Sequence, residues 1–143
     1  MEWLKPILLP AVGAFLGVIA KEAIDRNRSK KQMGVSDVEF LGHQIDEIRE
    51  LAVTYWSKAS NEESKLIEAR ITGMLHGCVE IIAASNLKSK KYKKKLNEQL
   101  RQFRKICTSG SFGQITRMPD IDRLAEIEVE GRILYSNILS FRR

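Results

Sequence analysis

Apolar residues recur at alternating intervals of four and three in four separate stretches of this 143-residue chain, and no stretch alternates with the period of two that a strand requires. That period restricts the chain to an all-α class. Leu41, Ile45, Ile48, Ala52 and Tyr55 form the first seam. Ile67, Ile71, Met74, Cys78, Ile81 and Ser85 form the second, widened by Leu66, Leu75, Val79 and Ile82 into what reads as the most buried helix. Tyr92, Leu96, Leu100, Phe103, Ile106 and Cys107 form the third, and Ile121, Leu124, Ile127, Gly131, Leu134, Ile138 and Phe141 the fourth.

Local signals mark where the helices begin. Ser36 and Glu39 have the spacing of a capping box, so the first helix is expected over about 37–58. Asn61 followed by Glu62 and Glu63 is a second start, with acids at the positive end of the dipole. The third helix is expected over about 90–107, and Pro119 with Asp120 opens the fourth. Gly73 and Gly77, four apart inside the second helix, lower its propensity and would let a neighbouring helix approach closely. Four helices on short connections make an antiparallel four-helix bundle. The second-to-third connection then shares one end with the start of the first helix, and the loop 108–118 lies at the other.

The remaining N-terminal segment is of a different kind. Pro6 to Ala20 carries no charge over fifteen residues, and Trp3 and Leu4 extend the run across a snorkelling Lys5 to about 27 Å of helix, close to a ~30 Å hydrocarbon layer. Leu8, Phe15 and Ile19 supply bulk, Pro6 and Pro10 are better tolerated in lipid than in an ordinary soluble helix, and Trp3 sits where an interfacial aromatic belongs. Lys21, Arg26, Arg28, Lys30 and Lys31 follow the run, whereas only Lys5 precedes the uncharged stretch. By the positive-inside rule the bulk of the chain is cytoplasmic and the N-terminus outside. A cleaved signal peptide fits less well, because its charge should come before the apolar run. A short buried helix of a soluble protein is the third reading. Residues 1–20 are thus expected to be a single transmembrane anchor in the cell membrane, 21–35 a basic juxtamembrane helix or linker, with Gly34 as the stop of a membrane helix continued into the cytosol, and 36–143 a cytosolic bundle. Gly13 and Gly17, one turn apart in the span, form a small-xxx-small pair suited to helix association and a homo-oligomer, although glycine is common in membrane helices generally.

Net charge is +6, yet Lys88 to Lys105 alone holds nine basic residues and one acid, so the rest of the chain is slightly acidic. Lys88, Lys90, Lys91, Lys93, Lys94 and Lys95 crowd the start of a helix, where cations oppose the dipole. Bundle topology places this run beside the bilayer, where it would join Lys21–Lys31 and Arg142–Arg143 in a basic collar on anionic headgroups. Arg101, Arg104 and Lys105 continue it, and with Tyr92 as a stacking platform the same residues could hold nucleic acid. A solvated surface is the plain alternative.

Chemistry finds little support in the sequence. His43, His76, Cys78 and Cys107 show no ligand spacing, so no catalytic residue, metal or cofactor is expected, and the two thiols read as small core hydrophobes. Gly110-Ser111-Phe112-Gly113 lacks the lysine of a phosphate loop. Phe112, Ile115 and Met118 at the far tip form a candidate docking patch for a protein partner. The acids of the first helix (Asp37, Glu39, Asp46, Glu47, Glu50) and the fourth (Asp120, Asp122, Glu126, Glu128, Glu130) read as solvated faces. The composite expectation is a non-catalytic, single-pass tether, adaptor or regulatory subunit acting by protein association at the membrane surface. A bilayer-perturbing effector that oligomerises through its span is the second reading, and a membrane-held nucleic-acid-binding module the third.

Overall fold

A computed structural model describes residues 35–85 and 89–140. The expected span, with Gly13 and Gly17, lies outside these residues, as do Lys88, Phe141, Arg142 and Arg143. Among the described residues there are four α-helices and no strand: α1 over 35–56, α2 (Glu62–Ala84), α3 (Lys90–Thr108) and α4 (Ile121–Ser140). They form an all-α four-helix bundle.

Of the three start signals read from the sequence, those at Asn61 and Asp120 hold, and Ser89 caps the third helix without having been singled out. Asn61 has extended backbone (φ −145°, ψ −177°), its side-chain oxygen accepts from Ser64 N at 3.0 Å, and Ser64 Oγ accepts from Asn61 N at 3.0 Å. Ser89 accepts from Lys91 N, and Asp120 from Arg123 N. At α1 the expected box is absent: residues 35 and 36 are already helical, and a capping residue needs non-helical backbone.

Paired contacts run in opposite numerical order along neighbouring helices. Gly42 faces Tyr135, Arg49 reaches Glu128 and Gly131, and Trp56 O accepts from Asp120 N, so α1 and α4 are antiparallel. Phe103 lies against Gly131 and Ser109 against Arg123 across α3 and α4. Lys93 at the start of α3 reaches Ala83 at the end of α2. One end of the bundle, here the base, gathers Asp37, Val38, Ile81, Ser85, Leu96 and Ile138 around a void of only about 10 Å³. The start of α1 therefore lies at the same end as the close of α2 and the second turn of α3.

The buried stripe follows the 3.6 period more narrowly than the sequence suggests. α1, not α2, is the most buried helix, contributing Val38, Leu41, Ile45, Ile48, Ala52, Tyr55 and Trp56 against Ile71, Leu75, Cys78 and Ile82 from α2. Leu66 and Val79 are exposed because 3.6 residues per turn carries them off the face of Ile71 and Cys78. Ile121 is exposed for the same reason, whereas Tyr92 is in phase with Leu96 and is exposed in the first turn of α3. Close helix approach occurs where it was not expected. A Cβ on Gly131 would lie 3.0 Å from Arg49 Cδ and 3.2 Å from Phe103 Cε2, and one on Gly42 would lie 3.3 Å from Tyr135 Cε2. Gly73 and Gly77 have nothing within 4 Å of that position, so no described residue packs against them.

Opposite outcomes follow for glycine substitution, read by urea unfolding followed by circular dichroism. Gly73→Ala and Gly77→Ala should each stabilise the bundle by roughly 0.5–1 kcal/mol through helix propensity. Gly131→Leu should destabilise it by roughly 1–3 kcal/mol, because Arg49 and Phe103 occupy the space the side chain needs.

Candidate interaction surfaces

The outer face of α3 is the most one-sided surface of the bundle. Leu96, Leu100, Phe103 and Cys107 turn inward, which leaves Lys90, Lys94, Arg101 and Lys105 in line on the opposite side, with Lys91 and Lys95 beside them. The helix carries eight basic residues and one acid, Glu98. Lys93 is partly buried and donates to Ala83 O at 3.0 Å, supplying the C-terminus of α2 with a cation that its own last turn lacks. The other cations of α3 form no ion pair with a described residue, even though Glu98 lies one turn from both Lys94 and Arg101.

Every described arginine outside α3 is engaged. Arg49 bridges Asp46 at 2.6 Å and Glu128 at 2.7 Å. Arg70 meets Glu47 at 2.6 Å, Arg123 meets Asp120 at 3.1 Å and Arg132 meets Glu128 at 3.2 Å. Several acids that read as solvated are therefore cross-links, the Arg49–Glu128 bridge joining α1 to α4. Burial alone would raise the Glu128 carboxyl, but the guanidinium groups of Arg49 and Arg132 outweigh it and hold its pKa below the ordinary value.

At the opposite end, the tip, Arg117 is 2% exposed. It is the one charge in the loop 108–118, and that isolation is the only trace it leaves in the sequence. Its guanidinium lies 3.7 Å from the Tyr55 ring centroid, donates to Tyr55 O and to Lys58 O, and reaches Ser64 Oγ at 3.1 Å. One side chain thus caps the carbonyls after α1 and holds the serine that caps α2. Backbone bonds complete the joint: Ser60 N donates to Arg117 O and Asp120 N to Trp56 O. Gly110 (φ +67°) and Gly113 (φ +79°) supply the left-handed turns, and Gly113 N donates to Tyr55 Oη, which itself donates to Glu68 at 2.6 Å.

This joint redistributes the expected docking patch. Phe112 is half-buried, its ring centroid 5.0 Å from that of Tyr55, because the loop folds it down onto the aromatic pair. Ile115 (85% exposed) and Met118 (70%) do face outward, and Ile121 (77%) joins them. Ser111, Thr116, Met118, Pro119 and Asp122 line an open concavity of about 770 Å³ beside them, ample for several partner side chains.

Among the described residues, no three His, Cys, Asp or Glu side chains come together as a metal site. His43 and His76 are exposed on different helices, and His76 lies 4.0 Å from Glu80. Cys78 and Cys107 are free and buried, and burial pushes both thiols up to about 12. Burial first, then the bond to Glu68, raises the Tyr55 phenol above its usual value. No described helix is long and apolar enough to cross a membrane. No family model, curated protein or solved structure matches the chain.

Two measurements check these assignments. Arg117→Met should cost ~2–4 kcal/mol in urea unfolding by leaving buried carbonyls unpaired, with Arg117→Lys recovering only part because an ammonium lacks the planar fork. Neither thiol should react with a disulfide exchange reagent at pH 8 until denaturant is added; rapid labelling of the folded protein would contradict their burial.

Proposed function

We propose that this protein is a single-pass, membrane-held helical module, a tether or adaptor whose bundle works against the anionic cytosolic face of the bilayer and presents its tip to a protein partner. The observation that carries this is the row of cations on α3 that pair with no described residue, in a molecule that engages every other described arginine. An unpaired row costs self-repulsion within one helix, and an anionic partner outside the molecule removes that cost. Base topology supports the membrane as that partner: Asp37 and Val38 line the same small void as Ser85 and Leu96, so the chain that follows the apolar run Pro6–Ala20 and its basic flank enters the bundle at the end where α3 begins. Each cation beside an anionic leaflet gains roughly 1 kcal/mol.

Ile115, Met118 and Ile121 are the surface offered to protein, at the end that points away from the bilayer attachment. Asp122 beside them favours an apolar segment with basic flanks.

Expression of the whole chain followed by membrane fractionation tests the anchor. The protein should sediment with membranes and stay there through high salt and alkaline carbonate, and a protease confined to the cytosolic side should digest the bundle. Release by carbonate would sink the span.

A further inference from the structure

We infer that the bundle lies on its α3 side along the bilayer rather than standing upright on its base, so that anionic lipid headgroups contact the cations of α3 over the whole length of the helix. The inference rests on the membrane reading and adds to it the extent of the lipid-binding surface. Lys90, Lys94, Arg101 and Lys105 share one face at intervals of four, seven and four, and span ~22 Å along the axis. In an upright bundle only the first turns of α3 reach the headgroups. Arg101 would then stand ~16 Å further out than Lys90, about two Debye lengths at physiological salt, where a leaflet no longer attracts it.

Yet Arg101 and Lys105, like the described lysines at the base, form no ion pair with a described residue. Glu98 sits between Lys94 and Arg101 without closing on either, and Glu126 lines the same crevice as Lys105 without pairing with it. The outer face holds no large apolar side chain, so it suits a charged, hydrated plane rather than a protein core. Leu96, Leu100, Phe103 and Cys107 fix the face rigidly by filling the core beneath it.

The test uses the full-length protein in nanodiscs of phosphatidylcholine, with or without about 30% phosphatidylserine to supply anionic surface. Because Cys78 and Cys107 are buried, a fluorophore can be placed selectively on Gln102→Cys, Lys90→Cys or Thr54→Cys, the last on the exposed side of α1. Quenching by a lipid carrying the quencher on its headgroup is then read at each position. A side-lying bundle gives strong quenching at Gln102 and Lys90 but little at Thr54, only when phosphatidylserine is present. Adding Arg101→Gln with Lys105→Gln should lower the docked-to-free ratio at Gln102 roughly 30-fold. Quenching at Lys90 without quenching at Gln102 means an upright bundle, which overturns this inference and leaves the lipid reading intact. Absence of phosphatidylserine-dependent quenching at every position overturns both. Binding of a single-stranded oligo-dT that requires Arg101 and Lys105, with no response to phosphatidylserine, would assign the row to nucleic acid and likewise refute the inference.

Discussion

The bundle is closed at its tip by a buried guanidinium. Arg117 has no carboxylate among its hydrogen-bond partners. Its charge is balanced instead by backbone carbonyls at the negative end of α1 and by the π face of Tyr55, with Trp56 further out at 5.6 Å. Taking such a group out of water is expensive, and it persists because the end of α1 and the cap of α2 both supply acceptors. The end of α1, the cap of α2 and the connection into α4 are thereby fixed to one another. Trp56 adds a bond from its indole nitrogen to Cys107 O at 2.9 Å, and Arg123 stacks on the same indole at 4.1 Å, which ties in the end of α3. A loop built of glycine, serine and threonine consequently holds Ile115 and Met118 outward in a defined arrangement, where such residues would ordinarily fold inward or stay mobile.

Charge is distributed by the same logic on a larger scale. Arginines at the α1–α4 and α1–α2 boundaries meet acids across them, so these pairs set which helices are neighbours as well as adding modest stability. α3 is excluded from this pairing. The lysine that does turn inward, Lys93, finishes α2 with a bond to a free carbonyl. The rest of the row remains available to whatever anionic surface the protein meets, and the helix tolerates an adverse dipole at its first turn as a result.

Helix packing shows how far a one-dimensional pattern reaches. Paired glycines at positions 73 and 77 look like a close-packing motif, whereas Gly42 carries no such signal and Gly131 is only one member of the fourth seam. The structure reverses them, because a glycine matters only where a neighbouring helix crosses, and crossing points are set by the registration of α1 against α4 and α3. Leu66 and Val79 teach the same lesson. Hydrophobicity adjacent to a seam does not imply burial, since one residue of displacement rotates a side chain by about 100°.

Helix number, their approximate limits, the Asn61 and Asp120 starts, the antiparallel order and the basic character of α3 were all legible from the sequence. Each follows from local periodicity or from a cap formed within four residues. Arg117 was not legible, nor was the inward turn of Phe112, nor the Arg49–Glu128 bridge. Those depend on residues about 60 to 80 positions apart being brought together, and nothing in the local pattern distinguishes a loop arginine that will be buried from one that will be solvated. The unpaired state of Lys94, Arg101 and Lys105 belongs to this second group. Sequence supplied the charges, but only the packed arrangement of α2, α3 and α4 decided that no described acid would reach them.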